Sequence, residues 1–263
     1  MYNDKKVAVV IPCFNEENQI QKVLSTLPDY IDYIICVDDA STDETRVIIS
    51  HFAKTDSRIS LIELSNNQGV GGAIDSGYGL ALQTDADLVG VLAGDGQMDP
   101  SELECLINAL IIHDVDYSKI TRLYNTDFFK NIPKVRLIGN SILSILTRLS
   151  SGYWQMSDSQ TGYTVITREA LLEIQGNLWK GYGFPNDVLN KLGLLDFRIV
   201  ELPSKPIYNI GEKSKLQPAK VVLPILKLLL SGIKRRILTQ YFKRTLHPIG
   251  IGYLTSFFGL VLA

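Results

Sequence analysis

Short apolar runs rich in β-branched residues alternate with stretches of helical periodicity through the first hundred residues. The runs continue without polar interruption, which is typical of strands buried on both faces of a parallel sheet. This pattern predicts an α/β fold, a mostly parallel sheet with helices on both faces. The predicted strands are Lys6–Ile11, Tyr33–Val37, Ile59–Leu64 and Leu88–Leu92, and the predicted helices are Glu17–Leu27, Asp43–Lys54 and Val70–Gln83.

Local signals refine these elements at one point and extend them at two others. Ser41 followed by Glu44 has the spacing of a capping box, which predicts that the second helix begins just after Ala40. Apolar residues recur at helical spacing over residues 133–149, which predicts an amphipathic helix. Residues 218–244 predict a second one, because lysines seven apart share one stripe of a helix. We expect this helix to lie in the headgroup plane of a membrane.

These patterns divide the chain into three parts. Residues 1–216 form the main α/β domain, residues 217–246 the interfacial helix, and residues 247–263 an apolar C-terminal segment. The uncharged run from Ile249 to Ala263 would reach about 22 Å as a helix, short of the roughly 30 Å hydrocarbon core. It is therefore predicted to be at most part of a transmembrane helix.

The charge is unevenly distributed. The chain has 263 residues, 46% hydrophobic and 21% charged, with a net charge of −2, which favours a globular protein and argues against nucleic-acid binding. Residues 205–263 contain ten basic side chains and one acidic one, so the first 204 residues carry a net charge of −11. An acidic body with a basic, apolar tail predicts docking on an anionic membrane surface. The N-terminus shows no signal-peptide pattern, so we expect the body to face the cytoplasm.

Carboxylates follow three of the predicted strands. Glu16 comes after the first strand, Asp38 and Asp39 after the second, and Asp95 after the fourth. Parallel strands end at one edge of a sheet, so these groups should converge there. Like charges held together are costly unless a cation or hydrogen-bond donors offset them, and oxygen ligands of this kind suit a hard divalent cation with diphosphate oxygens. Two further acids, Asp43 and Asp99, are expected only to cap helices.

A glycine-rich segment opens the third predicted helix. Residues 67–73 read Asn-Gln-Gly-Val-Gly-Gly-Ala. Glycines at a helix N-terminus let backbone N–H groups approach a phosphate or a ribose, and they also permit close packing of the helix. The segment is neither a Walker loop nor the dinucleotide fingerprint, which leaves both uses open. The three cysteines, Cys13, Cys36 and Cys105, are too scattered for a disulfide framework, and we expect reduced thiols.

Four motifs in sequence order resemble those of a family 2 glycosyltransferase with the GT-A fold. They read VVIPCFNEE, VDDASTDET, NQGVGGAIDSGYG and AGDGQMDP. Within that family the chain is similar to the dolichol- and polyprenyl-phosphate hexosyltransferases. The resemblance implies an inverting, metal-dependent enzyme at the cytosolic membrane face. Its donor would be a GDP- or UDP-hexose, its acceptor a polyprenyl phosphate, and its cofactor Mg²⁺ or Mn²⁺.

The resemblance also implies roles for residues of the first half. The metal motif of the family, Asp-x-Asp-x-Gln, reads here Ala93-Gly94-Asp95-Gly96-Gln97, which leaves Asp95 and Gln97 as metal ligands. With one carboxylate missing, we expect weak metal binding in the absence of the nucleotide. The residues implied in nucleotide binding are Pro12, Phe14, Glu16, Asp39, Gly69, Gly71 and Asp95.

In the second half, the resemblance implies contacts to the sugar and the acceptor. Asp158 and Asp187 join Asp95 as candidate catalytic carboxylates, and the choice of a base, if one is used, stays open. The second-half aspartates could instead act as a loop or helix cap. The basic and polar residues implied in binding the acceptor phosphate are Lys119, Arg122, Ser214 and Lys215.

Two other functions remain open at this stage. The same fold can transfer sugar to a saccharide hydroxyl in cell-surface polysaccharide assembly. A catalytically silent membrane subunit that binds a nucleotide sugar is the other alternative, because Ala93 replaces a metal-binding carboxylate. The base, the sugar and the assembly of the chain into a homo-oligomer also remain open.

Overall fold

The computed structural model describes residues 1–122, 134–204 and 218–244, together with Gly252. Its described residues form a seven-stranded sheet in the order β3-β2-β1-β4-β6-β5-β7. The strands are β1 Val7–Cys13, β2 Tyr33–Asp38, β3 Ile59–Glu63, β4 Leu88–Val91, β5 Tyr117–Thr121, β6 Thr164–Thr167 and β7 Ile199–Pro203. The helices are α1 Ile20–Ser25, α2 Thr45–Thr55, α3 Val70–Ala81, α4 Glu102–Ile112, α5 Lys134–Ser151, α6 Arg168–Ile174, α7 Phe184–Leu194 and α8 Pro218–Leu238, and a π-helix follows over Thr239–Arg244.

The sheet is mostly parallel. β1 pairs in parallel with β2 and β4, β2 with β3, and β5 with β7, whereas β6 runs antiparallel to its neighbours β4 and β5. All strands except β6 therefore end at the same edge, and β6 begins there. Residues Val7–Ile11 in the central strand are fully buried, because hydrophobic clusters cover both faces of the sheet. The uninterrupted apolar strands of the sequence are explained by this double coverage.

The four predicted strands are confirmed, with ends within two residues of the prediction. The helix predicted over Glu17–Leu27 is shorter, because the backbone N–H groups of Glu16 and Glu17 bond to Thr45 and Asp43 instead. The predicted capping box is wrong. The Ser41 hydroxyl accepts the N–H of Asn15, and α2 begins four residues later, at Thr45.

All three thiols are free, and two of them lie in this core. Cys13 and Cys36 are buried and Cys105 is exposed. Burial raises the pKa of Cys36 to about 12, so this thiol stays protonated near neutral pH. Asp43 and Asp99 act near the starts of helices as expected, because their carboxylates accept the N–H groups of Thr45 and Ser101.

The glycines of α3 are required by close packing. The segment Trp179–Gly181 crosses the start of α3, and the Gly72 N–H donates to the Lys180 carbonyl over 3.1 Å. A Cβ at Gly71 would lie 1.8 Å from the Trp179 carbonyl oxygen, and one at Gly69 would lie 2.6 Å from that of Lys180. Gly69 also has a φ of 79°, which favours glycine. The packing use left open for this segment is therefore present.

Helix α5 has its polar side inward. The helix confirms the periodicity predicted over residues 133–149, but its apolar residues Ile142 and Ile145 are 53% and 52% exposed. Its buried side carries hydroxyl groups that bond to α7: Thr147 accepts from Asn186 over 2.7 Å, and Ser150 donates to Asn190 over 2.5 Å. These hydrogen bonds make a polar inner face tolerable, although Asn190 Nδ2 has no partner among the described residues.

Helix α8 packs against α5 and α7 and exposes a mixed face. Ile225 and Leu229 are buried, whereas Leu223 is 65% exposed and Lys227 and Lys234 are exposed. Among the described residues, no helix is both long and apolar enough to cross a bilayer. The segment 247–263, apart from Gly252, lies outside the described residues, as do Ser214 and Lys215.

We expect Gly71→Ala to lower the free energy of unfolding by about 1–3 kcal/mol, because the new methyl group meets backbone that must move. Gly79→Ala in the same helix is the matched control. Its Cβ would meet only the side-chain amide of Gln175, at 3.3 Å, so higher helix propensity should leave stability unchanged or raise it by up to about 1 kcal/mol. Urea denaturation of the three proteins measures the difference, and equal stability of the two variants would contradict the packing role.

Candidate active site

The carboxyl edge of the sheet collects most of the candidate residues. Pro12 is the penultimate residue of β1, and the next residues form the turn that precedes α1. Asp38 ends β2 opposite Cys13, and Asp95 follows β4. Arg122 follows β5 directly. Because β6 is reversed, the segment before it, with Asp158, reaches the same edge. The topology thus brings together residues far apart in the sequence, as the strand pattern predicted.

The loops after β1 and β2 are bonded to each other. Asn15 has a φ of 55°, a left-handed conformation that asparagine tolerates well. Its N–H donates to the Ser41 hydroxyl over 3.0 Å, and its side-chain oxygen accepts the Thr42 N–H over 2.8 Å. These bonds hold the neighbouring Phe14 and Glu16, both half-buried, at the edge. Their roles in nucleotide binding stay predictions.

The two aspartates after β2 have different surroundings. Asp39 is buried, and its two carboxylate oxygens accept the N–H groups of Gln68 and Gly69 over 2.6 and 2.9 Å. It therefore fixes the glycine-rich segment. Asp38 is equally buried, and its Oδ2 accepts the Ser41 N–H over 3.3 Å. Its Oδ1 has no hydrogen-bond partner within the described parts of the chain. A buried acceptor without a donor is costly, so Asp38 Oδ1 is a candidate contact for a ligand, a role that the resemblance did not assign to it.

A cavity of ≈ 370 Å³ lies beside Asp38. Arg46 and Glu63, which form an ion pair of 3.1 Å, contribute to its wall. The cavity therefore offers a carboxylate acceptor and a guanidinium donor, the two kinds of group that can bond the polar edge of a nucleobase. Its remaining lining residues are Ala40, Ser41, Leu64 and Ser65.

Asp95 and Gln97 lie together in the turn after β4. The Gln97 N–H donates to Asp95 Oδ1 over 3.0 Å, and Gly96 has a φ of 73°. Gly94 sits tightly below them, because a Cβ there would be 2.8 Å from the Cys13 sulfur. Among the residues described, no cluster of three or more His, Cys, Asp or Glu side chains could hold a metal. Two oxygen ligands fit Mg²⁺ or Mn²⁺ only if phosphate oxygens and water complete the coordination.

Asp158 forms a two-point ion pair with Arg122. Its oxygens lie 2.8 and 3.2 Å from Nε and Nη2 of the guanidinium, and the Gln160 N–H also donates to it over 2.9 Å. Burial opposes ionisation of the carboxyl, but the attraction and hydrogen bonds of Arg122 outweigh it and lower the pKa of Asp158 to about 2. At neutral pH this group is an ionised partner of Arg122 and a weak proton acceptor.

Lys119 is fully buried beneath this pair. Its ammonium group donates to the Asp158 carbonyl and lies 3.3 Å from Glu201 of β7. In this position it does not face a phosphate at the surface, in contrast to the role that the resemblance implied. Burial lowers the pKa of Lys119, against the opposing pull of Asp158 and Glu201.

Glu201 is a site residue that sequence reasoning missed. Its carboxylate accepts the N–H groups of Ser157 and Asp158 over 2.7 and 3.0 Å, besides pairing with Lys119. It thereby fixes the turn that carries Asp158. The only signal in the sequence was an acid within the apolar run of β7, Ile-Val-Glu-Leu-Pro. An acid in such a run needs a partner, and that partner could not be identified without the pairing of β5 with β7.

Asp187 lies in the first turn of α7 and is mostly buried. Its Oδ2 accepts the Trp179 N–H over 2.9 Å and pairs with Lys191 over 2.8 Å. These contacts secure the segment that crosses α3. They are the contacts expected if Asp187 caps a loop, and its catalytic role stays a prediction.

The depressed pKa of Asp158 predicts a pH dependence of stability. A carboxyl that ionises more readily in the folded state stabilises it above its unfolded pKa, near 3.8, and this contribution is lost as the pH falls towards 2. We expect the free energy of unfolding to lose about 2 kcal/mol from this group over that interval. Urea denaturation from pH 7 to pH 2 should show a steeper loss for the wild type than for Asp158→Asn. Replacement of the exposed Asp4 by Asn should leave the wild-type slope, and identical slopes for all three proteins would contradict the prediction.

Known proteins resemble this chain over most of its length. A family model described as glycosyl transferase family 2 matches residues 8–175. The UDP-N-acetylglucosamine–dolichyl-phosphate N-acetylglucosaminyltransferase of Methanococcus voltae is 31% identical over 220 residues, 78% of this chain and 87% of that protein. The undecaprenyl-phosphate mannosyltransferase of Micrococcus luteus is 27% identical over 202 residues, 75% of this chain and 82% of that protein.

Solved structures share the fold. Glucosyl-3-phosphoglycerate synthase from Mycobacterium tuberculosis, in complex with Mn²⁺, UDP and phosphoglyceric acid, superposes with a TM-score of 0.64. The match covers 89% of this chain and 78% of that one at 17% identity, so it supports the fold alone. The family match and the curated relatives decide the rest: the chain belongs to glycosyl transferase family 2 and is a glycosyltransferase.

Proposed function

We propose that this enzyme transfers a hexose from a nucleoside diphosphate sugar to a polyprenyl phosphate, with inversion, at a membrane surface facing the cytoplasm. The observation that carries the choice of acceptor is the state of the candidate bases other than Asp95, which is proposed to hold the metal. Asp158 is paired with Arg122 and Asp187 with Lys191. A hydroxyl acceptor needs a base to take its proton, whereas a phosphate acceptor is already an anion. The names of the Methanococcus and Micrococcus relatives point to the same acceptor class.

The donor fits the cavity beside Asp38. A ring or amino N–H of a nucleobase would satisfy Asp38 Oδ1, which has no partner among the described residues, and Arg46 can donate to a base carbonyl. Phe14, whose neighbour Asn15 is bonded to Ser41 and Thr42, would provide an aromatic face for the base. The sugar diphosphate would then extend along the carboxyl edge towards Asp95.

Asp95 and Gln97 would hold the cation together with the diphosphate. When bound, a divalent cation neutralises the charge that develops on the leaving diphosphate. The Gln97 N–H fixes Asp95 Oδ1, so the carboxylate keeps its orientation at the turn. Because Ala93 contributes no carboxylate, the free protein should bind the metal weakly and the pair of donor and metal tightly.

Arg122 would receive the acceptor phosphate. It lies at the end of β5 with its side chain partly exposed, and Asp158 holds two of its nitrogens in a fixed plane. Beneath it, Glu201 and Lys119 secure the turn that carries Asp158. A cation fixed in advance lowers the cost of positioning an anionic nucleophile for a single displacement. A single displacement at the anomeric carbon inverts its configuration.

The outer faces of α5 and α8 would place the enzyme at the membrane. Ile142 and Ile145 of α5, and Leu223 and Leu230 of α8, are all at least half exposed, and the two helices pack against each other. Lys227 and Lys234 lie on the Leu223 stripe of α8. Apolar residues interspersed with lysines suit the boundary between acyl chains and anionic headgroups.

Release of the nucleoside diphosphate from a panel of nucleotide sugars tests the transfer. We expect release to require one donor, Mg²⁺ or Mn²⁺, and a polyprenyl phosphate, and to stop when a chelator removes the metal. Asp95→Asn should lower turnover by about 100-fold or more, since it removes the remaining carboxylate ligand. Asp99→Asn is the matched control, because an asparagine can still accept the Ser101 N–H, and it should keep activity near the wild-type level.

Three outcomes would redirect the proposal. Release that ignores the lipid, or an acid-stable product, would favour a saccharide hydroxyl as acceptor. Absence of release with every donor, despite donor binding, would favour a silent subunit. Tight binding of metal without nucleotide would contradict the role given to the diphosphate.

Membrane association has its own test. The purified chain should float with anionic vesicles and stay partly bound at high salt, because apolar contacts are insensitive to salt. Ile145→Ser combined with Leu223→Ser should lower the partition coefficient at least about tenfold. Ile112→Ser, at an exposed apolar position of α4, should leave binding unchanged. Equal vesicle binding by all variants would contradict the proposal that this surface contacts the membrane.

A further inference from the structure

A second cavity, of ≈ 710 Å³, lies away from the carboxylates of the sheet edge. Its walls are the segment 177–181, the first turns of α7 and one side of α8. The α8 side consists of Leu228 together with Lys227, Ser231 and Arg235, and the last three are four residues apart and therefore share a stripe of the helix. Of the described site residues that the sequence singled out, Asp187 alone lines this groove, and the proposed transfer uses none of the cations there.

The groove is strongly basic. Four cations line it: Lys180, Lys191, Lys227 and Arg235. The acidic residue among its lining, Asp187, is already paired with Lys191. In the described ranges of the chain, none of the other three cations has a carboxylate within ion-pair distance. Cations gathered from three separate elements repel one another unless an anion binds between them.

The lining also supplies the kinds of donor that bind an oxyanion. It contains one guanidinium group, three ammonium groups and the Ser231 hydroxyl, which is a neutral donor. Trp179 contributes an apolar part of the wall. A phosphate with an apolar substituent meets both requirements better than a planar carboxylate does.

We propose that this groove binds a phosphate group, separate from the donor and acceptor phosphates of the transfer reaction. Lys180, Lys227 and Arg235 are its charged contacts. The site adjoins the exposed stripe of α8, since Lys227 lies one turn from both Leu223 and Leu230. The groove is thus open beside the surface proposed to meet the membrane, and an anionic phospholipid headgroup and a free phosphate are the two sources that share this chemistry.

The groove is also connected to the glycine segment of the donor site through backbone packing. The segment 177–181 that forms its wall is the segment whose carbonyls touch Gly69, Gly71 and Gly72 at the start of α3. Asp39 fixes the other side of the same glycine segment. An anion that orders Lys180 would therefore order the backbone that packs on the donor loop.

Binding of two probes to the full chain tests the proposal without any measure of activity. The first probe is radiolabelled inorganic phosphate in equilibrium dialysis, and the second is flotation with phosphatidylcholine vesicles with and without phosphatidylglycerol. We expect Lys227→Gln and Arg235→Gln each to weaken binding by about fivefold. Lys234→Gln removes an equal charge from an exposed neighbour outside the groove and should change phosphate binding less than twofold. Arg122→Gln removes the cation proposed to receive the acceptor phosphate, and the phosphate binding that remains in this variant should still be weakened about fivefold by Lys227→Gln or Arg235→Gln. All four side chains are at least partly exposed, and an unchanged thermal midpoint verifies folding.

The outcomes distinguish a lipid headgroup from a soluble phosphate, and both from the result that the proposed site is wrong. Loss of both probes in Lys227→Gln and Arg235→Gln supports a site filled by a headgroup, and free phosphate should then compete with anionic vesicles. Loss of phosphate binding alone supports a soluble phosphate. If Lys234→Gln weakened the binding of both probes as much as Lys227→Gln and Arg235→Gln do, the attraction would be spread over the surface and the proposed site would be wrong. So would a complete absence of binding, or phosphate binding that depends on Arg122 alone. None of these results depends on whether the chain transfers a hexose.

Discussion

The close packing of the Trp179–Gly181 backbone against the glycines of α3 is the contact on which the arrangement of the molecule depends. It joins the half of the chain that contains β1 to β4 with the half that contains α5, α7 and α8. Asp39 holds the glycine segment from one side, and Asp187 holds the crossing segment from the other. A methyl group added at Gly71 would therefore disturb both the glycine segment of the donor site and the half of the chain that contains α5, α7 and α8.

Charge balance is the second constraint on the site. Several acids meet at one sheet edge, and most of those with a described side chain are matched by a dedicated donor. Asp39 accepts two backbone N–H groups. Asp158 forms an ion pair with Arg122, and Glu201 forms one with Lys119. The buried pair of Glu201 and Lys119 costs desolvation, so it is better understood as a device that fixes geometry than as a source of stability. Asp38 stands apart because one of its oxygens is buried with no hydrogen-bond partner in the part of the chain that the structure describes.

Much of the fold could be predicted from the sequence, because a doubly covered parallel sheet requires uninterrupted apolar strands. The sheet edge followed from strand direction, and the motifs in their order indicated the family. The side chains were harder to predict. The Ser41 hydroxyl bonds to Asn15 across two loops instead of capping α2, and Lys119 is buried because β7 supplies Glu201. Both outcomes depend on contacts between residues distant in the chain. Local spacing carries no information about such contacts, and a lone acid in a strand does not reveal its partner.

Helix α5 has hydrogen-bonded hydroxyl groups inside and isoleucines outside. Such bonds become stronger as the surrounding dielectric falls, because water no longer competes for them. The outer face can therefore pass from water into an apolar phase while the inner face keeps every partner it already has. Adsorption would then need no refolding step, and the rate of arrival at a bilayer would be limited by diffusion and orientation. A helix with an apolar inner face would have to rotate or unfold before it could make the same transfer.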